Sequence, residues 1–387
     1  MKKKIAILGS TGSIGKTLIN ILKKDNKNIK IVLLTADKNY KELIKQAKIF
    51  NVKNLILTNK YSFLKLKKNK NYNNINIYNN FNLIKKIFPK KIDYTMSSIS
   101  GFEGLNPTLK TIKYTKAIAI ANKEAIICGW NLLNKELTKN NTKFIPVDSE
   151  HFSIYYALRN NKISNVENIF LTASGGPLLK LPLSKFKNVK ISNVLKHPNW
   201  SMGKKISIDS ATLMNKVFEI IEAKKIFNIS YNQLKVLIHP KSYVHALIKF
   251  KDGMIKIIAH DTNMIIPIYN SLYYDKNCFL KTNNIDIKKL NNLSFEKVDF
   301  KKFPLIKILS KLSKNDSLFE TVIVATNDEF VSLYLNKKIK FNELSNNIYK
   351  FINLKEFNKY KLIKPKKIED IEKLNKNVRL KINQFCI

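Results

Sequence analysis

The run Ile5-Ala-Ile-Leu-Gly-Ser-Thr-Gly-Ser-Ile-Gly15 decides the fold of the first part of this chain. A short apolar segment ends at Leu8 and a helix-like pattern follows over residues 14–22, so the glycines predict a tight turn between a strand and a helix. Such a turn lets backbone N–H groups approach a pyrophosphate at the helix N-terminus. The spacing does not match a Walker P-loop, which needs four residues between its first glycine and Gly-Lys-Thr. We therefore interpret the run as a dinucleotide site rather than a plain turn.

Strand-like and helix-like patterns alternate through the first 150 residues. Beyond the first strand, apolar runs lie at residues 31–34, 54–57, 92–96, 117–121 and 144–147. This alternation predicts an α/β fold with a doubly wound parallel sheet. The middle section mixes helix with further strands, which are expected at residues 168–172, 235–239 and 243–250. Residues 275–300 are polar and irregular, and the tail from about residue 301 has helical spacing.

The charge balance is strongly basic. Of the 387 residues, 70 are Lys or Arg and 28 are Asp or Glu, so the formal net charge is +42. Lysine is spread from end to end and interleaved with Asn and Ile, without a long basic tail. A nucleic-acid or membrane surface would concentrate its basic residues. This even distribution instead indicates an ordinary globular enzyme whose composition has drifted toward Lys, Asn and Ile. A positive field would also help to capture a phosphorylated substrate.

The cysteines and the N-terminus indicate the cellular compartment of the protein. Cys128, Cys278 and Cys386 are far apart and offer neither a zinc spacing nor a disulfide framework, which favours a reducing compartment. The N-terminus runs directly into a strand, which argues against a signal peptide. No apolar run approaches the ~20 residues needed to span a bilayer. We expect a cytoplasmic protein.

The turn after the second strand bears on the choice of dinucleotide. An acidic residue at this place often binds the adenosine ribose, whereas a basic residue suits a 2′-phosphate. Asp37 and Lys38 are adjacent here, so these residues leave NADH and NADPH open. A solvated turn is an equal alternative.

Two carboxylates, Asp148 and Glu150, follow the strand that ends near Val147. Residues two apart on an extended chain point to the same side, and a divalent cation removes the repulsion between two neighbouring carboxylates. With Glu219 as a third oxygen ligand and few Cys or His nearby, the set suits Mg²⁺ or Mn²⁺. The alternative is an ordinary helix start, with Asp148 as N-cap and Glu150 in the first turn.

Residues 197–219 join a loop to a helix. Asp209 and Ser210 stand where a capping pair would open that helix, whose N-terminus would favour an anion. The run Thr172-Ala-Ser-Gly-Gly-Pro177 ends another strand, and its Ser174 and flexible backbone could hold a phosphate. A plain loop is an equal alternative for this second run.

The same helix carries a polar face. Asn215 and Glu219 are four residues apart and Lys216 and Glu219 three apart, so the three side chains can share one side of the helix. Together with the anion-favouring helix start, this face predicts a phosphate and metal pocket. A surface helix with a salt bridge is the alternative.

These segments together resemble the 1-deoxy-D-xylulose 5-phosphate reductoisomerase family over essentially the whole chain. The segments that match in order and spacing are residues 9–15, Ala121-Asn-Lys-Glu124, Pro146-Val-Asp-Ser-Glu-His151, Ser174-Gly-Gly-Pro177, residues 197–219 and Ile238-His-Pro-Lys-Ser242. The resemblance implies a Rossmann-like doubly wound sheet, an α+β catalytic domain and a C-terminal helical domain. Their expected bounds are 1–148 for NADPH binding, 149–274 for substrate and metal with a lid loop at 197–203, 275–300 for a linker and 301–387 for the helical domain.

The resemblance also implies roles for individual residues. Cofactor contacts fall on Thr11, Gly12, Ser13, Ile14, Lys38, Asn39, Asn122, Glu124 and Gly203. Metal ligands are Asp148, Glu150 and Glu219. Substrate contacts fall on Lys123, Ser149, Glu150, Ser174, His197, Ser210, Asn215, Lys216 and Glu219, with Ser174, Ser210 and Asn215 on its phosphate. The catalytic group comprises Lys123, Asp148, Glu150, His197, Lys216 and Glu219, while Asn199, Trp200 and Met202 lie in the lid.

The reaction implied by the resemblance uses NADPH and Mg²⁺ or Mn²⁺. It converts 1-deoxy-D-xylulose 5-phosphate to 2-C-methyl-D-erythritol 4-phosphate in non-mevalonate isoprenoid precursor biosynthesis. A retro-aldol/aldol route or an α-ketol shift rearranges the carbon skeleton before the reduction. The carbonyl and adjacent hydroxyl of the substrate can chelate the metal, which polarises the carbonyl. The family is generally homodimeric, and neither nucleic acid nor membrane is expected as a partner.

Two departures from the family pattern stand out. Asp37 occupies a position where the family usually has glycine, so an extra carboxylate beside the 2′-phosphate would weaken NADPH binding. Ala325-Thr-Asn-Asp-Glu329 stands where the family usually shows an Ala-Ala-Asn-Glu-like run.

Two alternative functions are also open. A semialdehyde or acyl-phosphate reductase would need a Cys nucleophile, and Cys128 lies in an apolar helical stretch without a nearby His. A non-enzymatic nucleic-acid binder would leave the three carboxylates at positions 148, 150 and 219 unexplained.

Overall fold

Two compact units make up the computed structural model of this chain, which describes residues 2–200, 202–276 and 278–385. The first unit comprises Met1–Ala125, Leu132–Asp148 and Met264–Lys281. The second comprises Ile126–Asn131, Ser149–Asn263 and Thr282–Ile387. Ser201 of the expected lid, Asn277 of the expected linker and Cys386 lie outside the described residues. The division into four parts at residues 148, 274 and 300 stays a prediction.

The strands fall into two sheets, one in each unit. The first sheet contains β1 (Lys3–Leu8), β2 (Ile29–Ala36), β3 (Asn54–Leu57), β4 (Asn76–Tyr78), β5 (Ile92–Ser97), β6 (Thr115–Ile120) and β7 (Lys143–Pro146). The second contains β8 (Val166–Ala173), β9 (Leu234–Ile238), β10 (Val244–Phe250), β11 (Ile255–Ala259) and β12 (Glu296–Lys297).

The described part of the chain also contains fifteen α-helices. Up to the second sheet they are α1 (Ser13–Lys24), α2 (Tyr40–Phe50), α3 (Lys60–Lys67), α4 (Ile84–Ile87), α5 (Leu105–Ile112), α6 (Lys123–Lys139) and α7 (Ser149–Ala157). The later ones are α8 (Ile191–Val194), α9 (Lys204–Ala211), α10 (Met214–Phe227), α11 (Ile265–Leu272), α12 (Ile287–Asn291), α13 (Phe319–Leu335), α14 (Phe341–Ile352) and α15 (Ile368–Phe385). Among the described residues, no helix is long and apolar enough to cross a membrane.

The sheet of the first unit is parallel in all of its described pairings, with the order β4-β3-β2-β1-β5-β6-β7. Its central strand β1 is fully buried from Ile5 to Leu8. Parallel strands are covered on both faces, so they form continuous apolar runs, and this is why the sequence identified them. The strand order reverses direction at β1 and β5, and the glycine turn follows β1 at this switch point, where open α/β sheets bind their ligands.

The sheet of the second unit is mixed, with the order β11-β10-β8-β9-β12. Strands β8 and β9 are parallel, whereas β10 runs antiparallel to both β8 and β11. Helices α7 and α10 pack against this sheet, and the core between them includes Ile154, Leu171, Ile220 and Ala246, which are at most 1% exposed. This packing places Glu150 in the first turn of α7 close to Glu219 in the second turn of α10.

The helical tail is organised around α13. Val322, Ile323, Val324 and Ala325 on this helix are fully buried, and α14 and α15 pack against it. Helix α13 also contacts α9 of the same unit. The tail is therefore packed against the region that carries the expected substrate residues.

The predicted fold class is confirmed, and three details of the sequence interpretation need correction. Strands β4 and β11 were not predicted, because β4 has three residues and β11 lies at a sheet edge with exposed apolar side chains. The expected irregular linker at 275–300 contains the short helix α12 and strand β12. Glu296 and Lys297 of β12 pair with β9, so part of this segment completes the second sheet.

Candidate active site

The glycine turn has the geometry of a phosphate cradle. Gly9 has φ +81°, and a Cβ there would lie 2.8 Å from the carbonyl oxygen of Ser98. A Cβ on Gly15 would lie 2.5 Å from the carbonyl oxygen of Gly9. Helix α1 begins directly after Gly12, and no side chain caps its first turn. The Gly12 N–H donates to the carbonyl oxygen of Gly9 at 3.1 Å, and Ser13, which begins the helix, is exposed. The N–H groups of the first helical turn, which have no partner within the helix, can bind an anion there.

The turn after β2 gives the two polar residues different structural roles. The hydroxyl of Thr58 donates to Asp37 Oδ1 at 2.9 Å, which holds the carboxylate in place. Asn39 caps helix α2, because its side chain accepts from the backbone N–H of Glu42 at 3.2 Å. Lys38 lies exposed between them. The turn therefore presents one fixed carboxylate and one accessible cation.

The Asn122-Lys-Glu124 run begins helix α6. Asn122 caps that helix, and its amide also donates to the carbonyl oxygen of Gly101 at 2.7 Å. Lys123 Nζ lies 3.1 Å from Asp148 Oδ2, and both Lys123 and Glu124 are 8% exposed. The run therefore supplies a buried charged pair, Lys123 with Asp148, close to the end of β7.

Asp209 and Ser210 do not open a helix, contrary to the sequence interpretation. Helix α9 already starts at Lys204, and both residues lie within it. The helical conformation is interrupted at Leu213, which has φ +61°, and α10 then begins at Met214. A left-handed conformation is rare for a bulky residue, so no sequence pattern predicts this interruption. Ser210 consequently lies near the end of one helix, while Asn215 and Lys216 lie at the start of the next.

Lys216 lies between two carboxylates in the second unit. Its Nζ is 2.9 Å from Glu150 Oε1 on α7 and also bonds Glu219 Oε2 one turn along α10. The amide of Asn215 donates to the other oxygen of Glu219, so the predicted polar face is confirmed. Burial lowers the pKa of Lys216, but the two carboxylates outweigh this effect and raise the pKa above its ordinary value. The ammonium group is therefore held in its charged form.

Asp148 is the last residue of its segment of the first unit and directly precedes α7 in the chain. Within the second unit, the carboxylates of Glu150 and Glu219 each offer one oxygen, and these two oxygens lie within 4.8 Å of one another. The hydroxyl of Ser149 donates to the second oxygen of Glu150. Three carboxylates without a Cys or His ligand among them match the oxygen preference of Mg²⁺ or Mn²⁺. The donor set therefore fits the expected metal.

His151 and Glu222 extend this cluster, and the sequence interpretation missed them. His151 Nε2 lies 2.9 Å from the carbonyl oxygen of Glu219, which can only accept, so this nitrogen carries the proton. His151 Nδ1 lies 3.5 Å from Glu222 Oε2, and both side chains are at most 2% exposed. The pair ties the two acidic helices together. Its only sequence signal is the three-residue spacing of Glu222 from Glu219.

Ser174 and His197 form a second polar group in the same unit. Ser174 Oγ lies 2.8 Å from His197 Nε2 and accepts from the backbone N–H of Gly176 at 3.0 Å. His197 Nδ1 accepts backbone N–H groups from Asn199 and Trp200 at 3.2 and 3.0 Å, so the proton of the neutral ring is on Nε2. Burial lowers the pKa of His197 to about 4. The ring is therefore neutral near pH 7 and donates to Ser174.

The start of the expected lid is bound to the second sheet. The amide of Asn199 donates to the carbonyl oxygen of Pro240 at 2.6 Å and to Ser242 Oγ at 2.9 Å. The ring of Trp200 packs edge-on against His245, with centroids 6.1 Å apart, and is half-buried. Trp200 is therefore less exposed than the sequence suggested. Lid movement stays a prediction.

Known proteins match this chain along its length. A family model for 1-deoxy-D-xylulose 5-phosphate reductoisomerase matches residues 5–129, and models of two C-terminal domains of that enzyme match residues 144–227 and 261–381. A 1-deoxy-D-xylulose 5-phosphate reductoisomerase of Pelagibacter ubique (strain HTCC1062) is 60% identical over 390 residues and covers 100% of both chains.

The chain belongs to the 1-deoxy-D-xylulose 5-phosphate reductoisomerase family. The reductoisomerase of Clostridium novyi (strain NT) is 38% identical and covers 99% of this chain and 98% of its own. The solved reductoisomerase of Zymomonas mobilis in complex with NADPH has a TM-score of 0.88 at 28% identity, with coverage of 100% and 99%. A reductoisomerase in complex with NADPH, fosmidomycin and magnesium has a TM-score of 0.86 at 28% identity, with coverage of 99% and 98%.

Membership of the reductoisomerase family excludes the two alternative functions. A semialdehyde or acyl-phosphate reductase would need an accessible thiol, but Cys128 is 2% exposed within helix α6. A non-enzymatic nucleic-acid binder is not what the family relatives are, and it would leave the meeting of Glu150, Lys216 and Glu219 unexplained.

Proposed function

We propose a division of roles among the residues of this reductoisomerase, which converts 1-deoxy-D-xylulose 5-phosphate to 2-C-methyl-D-erythritol 4-phosphate with NADPH and a divalent metal ion. The carboxylates of Asp148, Glu150 and Glu219 hold the metal. One observation carries the proposal: buried Lys216 and Glu219 form a charge cluster with the partly buried Glu150. Such clusters cost stability and are typical of reaction centres.

The residues around the metal ligands control their orientation and charge. Ser149 donates to Glu150, and Asn215 donates to Glu219, so each carboxylate has one oxygen fixed by a neighbour. Lys216 balances the negative charge of the set and stands next to the substrate. When bound, the divalent ion supplies Lewis-acid chemistry, polarising the substrate carbonyl and lowering the pKa of the adjacent hydroxyl. The reductoisomerase structures that contain magnesium support this assignment.

The substrate phosphate is held where Ser174 meets the end of α9. A Cβ on Gly176 would lie 2.7 Å from the carbonyl oxygen of Ser210, so the turn after β8 packs directly on Ser210. Ser174 Oγ accepts from both His197 and Gly176, which leaves its own hydroxyl proton to donate to a phosphate oxygen. Ser210, Asn215 and Lys216 complete the pocket at the positive end of α10. Holding the phosphate away from the reacting carbons orients the substrate.

The cofactor is held by the glycine turn and by the turn after β2. The exposed backbone at Thr11, Gly12, Ser13 and Ile14 takes the pyrophosphate. Lys38 takes the 2′-phosphate, opposed by the fixed carboxylate of Asp37. The remaining cofactor contacts are assigned to Asn39, Asn122, Glu124 and Gly203, the last being the N-cap of α9. Solved reductoisomerases in complex with NADPH support the choice of cofactor.

Lys123 is assigned to the substrate side of the site. Its ion pair with Asp148 at 3.1 Å fixes the ammonium group next to a metal ligand. A cation held there neutralises negative charge as it develops on the substrate oxygens. Together with His197 and Lys216, it completes the proposed catalytic group.

The chain is further proposed to be a cytoplasmic homodimer. Strand β11 is an edge of the second sheet, and Met254, Ile255 and Ile257 there are more than half exposed. An edge strand with apolar side chains and free backbone groups can pair with a second copy of itself. Light scattering should give twice the mass of the chain, and Ile257→Lys should return the mass to that of a single chain. The exposed free thiol of Cys278 agrees with a reducing compartment.

An oxidation assay tests the proposed function. We expect NADPH oxidation that requires both 1-deoxy-D-xylulose 5-phosphate and Mg²⁺ and stops when a chelator is added. Glu150→Gln should abolish turnover while leaving NADPH binding nearly intact. The matched control is Glu167→Gln, because Glu167 pairs with Lys249 at 41% exposure away from the cluster. Activity that survives both chelation and Glu150→Gln would remove the metal from the proposal.

A further inference from the structure

The Ala325-Thr-Asn-Asp-Glu329 run in the helical tail contacts the proposed phosphate region through a buried hydrogen bond. Asn327 Nδ2 donates to Asp209 Oδ1 at 2.8 Å. Asn327 is fully buried and Asp209 is 2% exposed. A carboxylate accepts only, so the amide orientation of Asn327 is fixed by this bond. A hydrogen bond to a buried charged group is among the stronger kinds in proteins.

A chain of ion pairs extends this bond across three helices. Lys205 Nζ lies 2.9 Å from Asp209 Oδ2 on α9 and 3.2 Å from Asp328 Oδ1 on α13. Arg379 on α15 then lies 2.8 Å from Asp328 Oδ2 and 3.3 Å from Glu329 Oε2. Both oxygens of Asp209 are therefore engaged, one by Asn327 and one by Lys205. These contacts attach the end of α9 to the helical tail.

Asp209 precedes Ser210 and belongs to the strained segment that leads into α10. The carbonyl oxygen of Asp209 accepts from Thr212 Oγ1 at 3.3 Å, and the following residue Leu213 is left-handed at φ +61°. A bulky residue adopts that conformation only where its surroundings enforce it. The backbone of Gly176 also packs against Ser210. The end of α9 is thus contacted both by Asn327 and by the turn that carries Ser174.

We propose that Asn327 is a positioning residue for the substrate phosphate and acts through Asp209 on Ser210 and the start of α10. The proposal rests on the phosphate role given above to Ser210. It also explains a motif in the tail, far along the sequence from the site, that the reaction itself does not use.

Reversing the hydrogen bond tests the proposal. Asn327→Asp places two buried carboxylates against each other and should raise the KM for 1-deoxy-D-xylulose 5-phosphate about tenfold, with the KM for NADPH unchanged. Adding Asp209→Asn restores the bond with donor and acceptor exchanged, so the KM for the sugar phosphate should return towards wild type. A merely structural role would move the melting temperature without this selective change in KM.

Two control variants separate the possible failures. Val324→Ala removes buried volume from the same helix without touching Asp209, so it should lower the melting temperature and leave both KM values unchanged. Ser210→Ala reports on the phosphate role itself: an unchanged KM for the sugar phosphate there would overturn the proposed function of Ser210. A raised KM in Ser210→Ala together with an unchanged KM in Asn327→Asp would overturn only the positioning role. If Asn327→Asp does not fold, the double variant decides, and a KM as high as that of Ser210→Ala contradicts the proposal.

Discussion

Lys216 on α10 and Glu150 on α7 form an ion pair of 2.9 Å between side chains 66 residues apart in sequence. The same ammonium group bonds Glu219, so a single cation joins one buried and one partly buried carboxylate. In the proposed metal site, the divalent ion and Lys216 therefore neutralise the same negative charge. If Lys216 is removed, the effect of Mg²⁺ on the melting temperature should therefore change.

Replacing Lys216 with Met should destabilise the metal-free protein and increase its response to Mg²⁺. Loss of one partner of a buried pair costs about 3–5 kcal/mol because it leaves the other charge uncompensated. Thermal unfolding should show a lower melting temperature and a larger upward shift with Mg²⁺ than in wild type. Lys249→Met is the control, because the exposed pair of Lys249 with Glu167 contributes about 1 kcal/mol at most. Equal Mg²⁺ shifts in wild type and Lys216→Met would contradict the shared role.

The turn after β2 should set the preference for NADPH. Lys38→Ala should raise the KM for NADPH far more than that for NADH, because only NADPH carries the 2′-phosphate. Asp37→Gly should lower the KM for NADPH by removing an opposing carboxylate. Thr58→Val, which removes only the hydrogen bond to Asp37, is the matched control for that turn. Equal effects of Lys38→Ala and Asp37→Gly on both cofactors would show that this turn does not contact the 2′-phosphate.

His197 should make stability depend on pH below neutrality. Its pKa is lowered from 6.5 to about 4 by burial, so between these values the unfolded state binds the proton and the native state does not. Stability from this group is therefore complete above about pH 6.5 and is lost as pH falls towards 4. The free energy of unfolding, measured by denaturant titration across this window, should vary less steeply in His197→Asn than in wild type. Identical slopes would show that His197 titrates normally.

Trp200 should lose solvent exposure when the ligands bind. It is half-buried against His245, so fluorescence quenching should fall but not vanish on adding NADPH and a phosphonate substrate analogue. The measurement is made in Trp130→Phe, which removes the other tryptophan. The same quenching in the free and ligand-bound states would show that Trp200 is ordinary packing and that no lid closes over the site.

The sequence predicted those parts of the fold that depend on local pattern. Buried parallel strands such as β1 and β5 form continuous apolar runs, so their positions were visible. Strand β12 is only two residues long and is held by pairing with β9, which no local pattern indicates. The break at Leu213 was equally hidden, because tertiary contacts impose a conformation that the residue itself disfavours.

The candidate site shows the same limit. The helical spacing of Asn215, Lys216 and Glu219 was enough to predict their shared face. The contacts of Glu219 with His151, and of Asp209 with Asn327, join segments 68 and 118 residues apart. Such contacts follow from the packing of helices on one another, and no regular spacing of residues in a single sequence predicts them.

The hydroxyl of Ser174 has a consequence for inhibitor chemistry. Since its oxygen is already occupied by the His197 ring and a backbone amide, the group can offer a ligand only its hydrogen. A competing compound must therefore present a hydrogen-bond acceptor at that point, as the oxygens of phosphates, phosphonates and carboxylates do. An ammonium group or an amide N–H placed there would meet a donor with a donor. Head groups that can only donate hydrogen bonds are therefore disfavoured at this position, whatever their size.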